Sequence, residues 1–137
     1  MLPAVPQNNK TFVMSKLLIL DDSADLLGAL KYILEHIGYM VRTLVSPVDL
    51  YKVIGEFQPD LLILDNAVDG KDGREICKEL RKSPEFKHLR VLLFSSYNKP
   101  LEDYESHYAD GYIEKPFELK SLIEKITSVL RFSKVQP

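Results

Sequence analysis

Five times along this chain a short apolar run is followed by a stretch whose apolar residues recur at helical spacing, and this alternation restricts the fold more than any other feature. The runs are Leu17–Leu20, Met40–Val45, Leu61–Leu64, Val91–Phe94 and Gly111–Glu114. The first helical stretch carries Leu26, Leu27, Leu30, Ile33, Leu34 and Ile37 on one face, and Gly38 ends it. Pro47 opens a second, with Leu50, Val53, Ile54 and Phe57. A third runs from about Gly73 to Lys82, a weak fourth from about Leu101 to Tyr108, and a last carries Leu119, Leu122, Ile123, Ile126, Val129 and Leu130. Five strand–helix units predict an α/β fold, a doubly wound parallel sheet with helices on both faces.

The strands suggest their own order. The first, third and fourth are uninterrupted apolar runs, as expected of strands covered on both faces. The second contains Arg42 and Thr43, and the fifth is short and ends in Glu114, so both belong at edges. The five-stranded order 2-1-3-4-5 satisfies this and puts a topological switch point between strands one and three. Ligand chemistry is then expected at the carboxyl ends of those strands, with the fourth beside them.

Four of the five strands end in a residue that can do chemistry there: Asp21-Asp22, Asp65, Ser95 and Lys115. Three clustered carboxylates repel one another unless cations compensate. A hard divalent cation with oxygen ligands is the natural partner, and Mg²⁺ takes one or two carboxylates with water and phosphate. Lys115 supplies a second positive charge. One carboxylate is left to attack a phosphoryl group, with metal, ammonium and hydroxyl stabilising the charge on its oxygens.

Taken together, the segments Leu-Leu-Ile-Leu-Asp-Asp at 17–22, Leu-Leu-Ile-Leu-Asp at 61–65 with Asp72-Gly73, Leu-Leu-Phe-Ser-Ser at 92–96 and Tyr112-Ile-Glu-Lys-Pro-Phe117 resemble the receiver domains of two-component response regulators. The resemblance covers residues 16–132, leaving 1–15 as an N-terminal tail and 133–137 as a C-terminal stub. It implies a flavodoxin-like (βα)5 fold and a signalling domain that promotes only its own phosphorylation and dephosphorylation. By position it implies that Asp65 is the phosphoacceptor. Mg²⁺ would be bound by Asp22, Asp65 and the backbone carbonyl of Ala67, with Asp21 acting through water. Ser95 would bond a phosphoryl oxygen, Lys115 would pair with Asp65 and then with the phosphoryl group, and Tyr112 would be the aromatic switch. A cis peptide bond is expected at Lys115-Pro116. The implied partners are a sensor histidine kinase or phosphotransfer protein and an unidentified downstream protein or effector domain. The resemblance also allows a homodimer through the fourth helix, fifth strand and last helix. A degenerate receiver that binds partners without phosphorylation is the alternative, and it would have lost one of these positions.

The chain departs from the family in two places. Asp69 stands where the family often has proline; it adds a carboxylate and is expected to loosen the loop without replacing a ligand. The segment between Ser95 and Lys115 is slightly short, and Pro100 limits where the fourth helix begins.

Other readings carry less. Asp21-Asp22-Ser23 could merely cap the first helix. Asp65–Gly70 partly mimics a calcium loop, but Ala67 and Ile76 stand where oxygen ligands are needed. An aspartate-nucleophile phosphohydrolase would want Asp-x-Asp after the first strand, and an FMN carrier a hydroxyl-rich phosphate loop there. His36, His88 and His107 have no partner pattern, Cys77 reads as core, and Tyr112 could simply be a packed edge tyrosine. A net charge of −2 gives no footprint for direct nucleic-acid or membrane binding. No apolar run approaches the roughly 20 residues that span a bilayer. The single cysteine and the absence of a leader pattern at the start fit a cytoplasmic domain.

Overall fold

The computed structural model describes residues 14–96 and 108–131. In chain order it contains β1 (Lys16–Leu20), α1 (Ala24–Ile37), β2 (Met40–Leu44), a 3-10 turn (Pro47–Asp49), α2 (Leu50–Phe57), β3 (Leu61–Asp65), β4 (Ala67–Val68), β5 (Lys71–Asp72), α3 (Gly73–Lys82), β6 (Arg90–Ser96), β7 (Gly111–Lys115) and α4 (Leu119–Arg131). The sheet is parallel throughout, in the order β2-β1-β3-β6-β7. For the five long strands this is the predicted 2-1-3-4-5. The expected weak helix at 101–108 falls almost wholly outside the described residues, as do most of the tail and all of the stub.

Burial explains the order. Leu17–Leu20, Leu61–Leu64 and Val91–Phe94 have no exposed surface, because helices cover both sides of the three inner strands. Alternation along each strand divides the core in two. Leu18, Leu20, Leu62, Leu64, Val91 and Leu93 pack with α2 and α3, and Tyr112 lies partly buried against them. Leu17, Ile19, Leu61, Ile63, Leu92, Phe94 and Ile113 pack with α1 and α4.

Local chemistry sets the element ends. Ser23 caps α1, its Oγ accepting the Leu26 N–H at 3.2 Å. Gly38, at φ +124°, closes the helix with its N–H on the carbonyls of Leu34 and Glu35. Pro47 begins a 3-10 turn first, and α2 proper starts at Leu50.

One element was not foreseen. β4 and β5 form an antiparallel hairpin between β3 and α3, with Val68 opposite Lys71 and Asp69-Gly70 as the turn. Both turn residues have positive φ, 53° and 77°, the pattern of a type I′ hairpin turn. Asp69 therefore closes this loop where it was expected to loosen it. Aspartate tolerates the left-handed region, and a proline there could not.

Candidate functional site at the carboxyl rim of the sheet

Parallel pairing brings the carboxyl ends of β1, β3, β6 and β7 onto one rim, and three of the expected side chains meet there. The Nζ of Lys115 donates to Asp21 Oδ2 at 2.7 Å and lies 3.0 Å from Asp65 Oδ1. Asp21 is fully buried, and its Oδ1 accepts the Ser23 N–H at 2.9 Å. Asp65 is 14% exposed, with Oδ2 accepting the Ala67 N–H at 3.2 Å. Lys115 reaches the site along the ring of Phe94, with Nζ 5.2 Å from the ring centre, and Phe94 in turn stacks on Phe117. The Lys115-Pro116 peptide bond is cis, as the resemblance implies.

The electrostatics are unbalanced. Burial pushes the Asp65 pKa up and the charge of Asp21 adds to this, while Lys115 and the Ala67 N–H pull the other way; the net shift is upward. Burial alone would lower the Lys115 pKa, but its bonds and attraction to Asp21 and Asp65 outweigh that, and it too is raised. One ammonium thus serves two carboxylates, with Asp22 next in sequence.

Asp22 differs from its neighbour. It is exposed, and Ser23, not Asp22, is the cap of α1. Among the described residues no three His, Cys, Asp or Glu side chains are gathered closely enough to cage a metal ion. The oxygen donors on hand are Asp65, exposed Asp22 and the exposed loop at Ala67. An open, oxygen-only set with excess negative charge suits a weakly held Mg²⁺ that keeps several waters.

Ser95 lies in β6 opposite Glu114, fully buried. It follows Leu93 by two residues and so shares its sheet face, the face that holds Tyr112. Tyr112 is partly buried against that core, as a packed edge tyrosine would be, on the sheet face that Ser95 shares.

Two neighbours of the site escaped the sequence reading as contributors. Asn66 is buried, its Oδ1 without a hydrogen-bond partner among the described residues, and no residue pattern announces this. Gly73 presses on the acceptor's own backbone. A Cβ there would stand 2.5 Å from the Asp65 carbonyl oxygen, and the Gly73 N–H donates to the Asn66 carbonyl at 2.7 Å. Glycine directly after the capping Asp72 was the available signal. Among the remaining candidates, Cys77 is a buried core thiol, its pKa pushed up to about 12 chiefly by burial. His36 stacks on Tyr32 on the surface, His88 is exposed, and His107 lies outside the described residues. No helix among the described residues is long and apolar enough to cross a membrane.

Comparison with known proteins bears on the family and the fold. A family model described as the response regulator receiver domain matches residues 17–127. The phosphate regulon transcriptional regulatory protein PhoB of Rhizobium meliloti (strain 1021) is 31% identical over 124 residues, which are 89% of this chain and 55% of that protein. The chain thus spans about half the length of this curated relative. Among solved structures, a putative response regulator from Chloroflexus aurantiacus J-10-fl is 29% identical with a TM-score of 0.76, covering 87% of this chain and 99% of that one. The signal receiver domain of a signal transduction histidine kinase from Syntrophus aciditrophicus is 26% identical with a TM-score of 0.78, covering 90% and 95%.

Proposed function

The chain belongs to the response regulator receiver domain family, and from that premise we propose that it is a Mg²⁺-dependent phosphorylation switch whose acceptor is Asp65. The observation that carries the reading is the position of Lys115 Nζ, within 3.0 Å of both the buried Asp21 and the largely buried Asp65. A lysine so placed holds the acceptor carboxylate in one orientation and remains beside any group attached to it.

In the proposed step an Asp65 oxygen attacks the phosphorus of a phosphohistidine on a sensor kinase or phosphotransfer protein. The O–P bond forms as the P–N bond breaks, and the imidazole leaves with the electron pair and takes up a proton. Lys115 stabilises charge on the phosphoryl oxygens, and Asp21 keeps the lysine in place. Asp22, Asp65 and the Ala67 carbonyl would hold Mg²⁺, which supplies further charge compensation when bound. The Ser95 hydroxyl donates to a phosphoryl oxygen, and Tyr112 transmits the change to a partner-binding face. The domain acts on no other substrate. The downstream partner, the cytoplasmic setting and any pairing of two copies belong to this proposal as well; the regulatory title of the curated relative describes a longer protein.

Incubation with Mg²⁺ and acetyl phosphate or phosphoramidate tests this directly. Intact-mass analysis should show one added phosphoryl group, peptide mapping should place it on Asp65, and chelator or Asp65→Asn should abolish it. Undiminished labelling of Asp65→Asn would refute the assignment. A wild type that takes no phosphoryl group would instead favour a degenerate receiver.

A further inference from the structure

The hairpin that replaces a loose loop beside Asp65 is a feature the family reading does not supply. Its two ends are fixed. On one side Asp65 is held by Lys115, and Asn66 donates its N–H to the Phe94 carbonyl at 2.9 Å. On the other, Gly73 sits against the Asp65 backbone, close enough that no side chain fits between. Val68 anchors the middle, fully buried in the core under α2 and α3. Between these fixed points the Asp69-Gly70 turn joins Val68 to its partner Lys71, and Ala67 pairs with Asp72, the peptide unit before Ala67 lying next to the acceptor. That peptide touches the site: its N–H donates to Asp65 Oδ2 at 3.2 Å.

We infer that Asp69 is a positioning residue whose left-handed backbone closes the hairpin and thereby aims the Ala67 amide at Asp65 and the Ala67 carbonyl at the metal position. The inference rests on the reading of Asp65 as a Mg²⁺-dependent acceptor. The role belongs to the backbone of Asp69 and not to its carboxylate. A two-residue hairpin loop with Val68 opposite Lys71 needs positive φ at both central residues. Aspartate and asparagine take that conformation at small cost; proline, held near −65°, and β-branched residues do not. An open turn would unpair Ala67 from Asp72 and free the peptide units on either side of it to rotate, loosening one metal ligand and one bond to the acceptor.

Three variants separate backbone from charge: Asp69→Asn keeps the conformation and removes the charge, Asp69→Pro removes both, and Gly70→Val strains the other turn position with Asp69 intact. Two quantities are read in the full chain after thermal unfolding has shown it folded. The first is amide exchange at Ala67 in metal-free protein, and the second is the dissociation constant for Mg²⁺ by titration. Asp69→Asn should match wild type in Ala67 exchange and stay within a few-fold in Mg²⁺ affinity. Asp69→Pro and Gly70→Val should speed Ala67 exchange about five- to tenfold, the loss of one hydrogen bond. They should also weaken Mg²⁺ about tenfold, the scale for disturbing a group that orients a ligand. Equal weakening by Asp69→Asn and Asp69→Pro with Ala67 exchange unchanged would overturn the inference in favour of simple charge. Wild-type behaviour in Asp69→Pro or Gly70→Val would overturn it outright. A wild type that neither binds Mg²⁺ nor accepts phosphate would overturn the reading of the site, and the metal-free exchange comparison would then decide the hairpin's hold on Ala67 by itself.

Discussion

The two rims of the sheet each carry a cation paired with carboxylate, and they are built to opposite ends. At the amino rim, Arg81 of α3 pairs with Asp110 at 2.9 Å and donates to the carbonyls of Leu89 at 2.6 Å and Tyr108 at 3.0 Å. Asp110 in turn accepts the Val91 N–H at 2.8 Å. Among the described residues Arg81 pairs with one carboxylate, and backbone carbonyls accept from its Nε and Nη1. At the carboxyl rim one ammonium is shared between Asp21 and Asp65, and Asp22, next in sequence to Asp21, is exposed. The amino rim is a balanced latch that ties α3 to the starts of β6 and β7. The carboxyl rim shares one ammonium between two carboxylates, and this shortfall of positive charge is what the proposed cation would offset. The same residue types serve a structural tie at one rim and, in the proposed function, chemistry at the other.

Breaking each rim should therefore have effects of opposite sign. Arg81→Ala should lower stability by about 2 kcal/mol, because it removes at once the pair with Asp110 and the bonds to the Tyr108 and Leu89 carbonyls, the last of them part-buried. Urea unfolding measures this, and labelling of Asp65 should survive it. A loss under about 0.5 kcal/mol would make the latch no stronger than an ordinary surface pair.

A smaller rise is expected from Asp65→Asn in metal-free protein. The Asp65 pKa is raised in the fold despite Lys115, so its ionised form costs stability. That cost is complete above the folded pKa and absent below the unfolded one. The variant should accordingly melt higher than wild type at neutral pH in chelator, with the gap closing as pH falls through the folded pKa of Asp65. A lower melting temperature at pH 7 would mean the Lys115 pair outweighs the crowding, and the contrast between the rims would dissolve.

The least effect on stability and the most specific on signalling should come from Ser95→Ala. Asp65 should remain phosphorylatable, while amide shifts around Tyr112, over residues 108–120, stop responding to a phosphoryl mimic. Equal responses in wild type and variant would return Tyr112 to a packed edge tyrosine.

Much of this was legible without coordinates. Inner strands covered on both faces must be apolar throughout, so Leu17–Leu20, Leu61–Leu64 and Val91–Phe94 declared their places. Arg42 and Glu114 marked the edges, and the order followed. Because parallel strands share one rim, the residues closing them had to lie together, which brought Asp21, Asp65, Ser95 and Lys115 into view. The hairpin stayed hidden because Asp69-Gly70 is flanked by strands of two residues, too short to show a period.

The sequence by itself determined the fold, the strand order and the rim on which chemistry could occur, since burial on one face or two is written in the period of apolar residues. Only the tertiary structure decided how neighbouring residues divide the work. Asp21 and Asp22 are the same residue type in adjacent positions, yet one is fully buried against Lys115, 94 residues away, and the other faces solvent. Gly73 is confined because α3 starts against the Asp65 backbone, and Asp69 closes the hairpin with a positive φ. The physical reason is common to all three. Local periodicity fixes which side of an element faces the core, but past a strand's end the path of the backbone and the direction of its side chains depend on the packing around them.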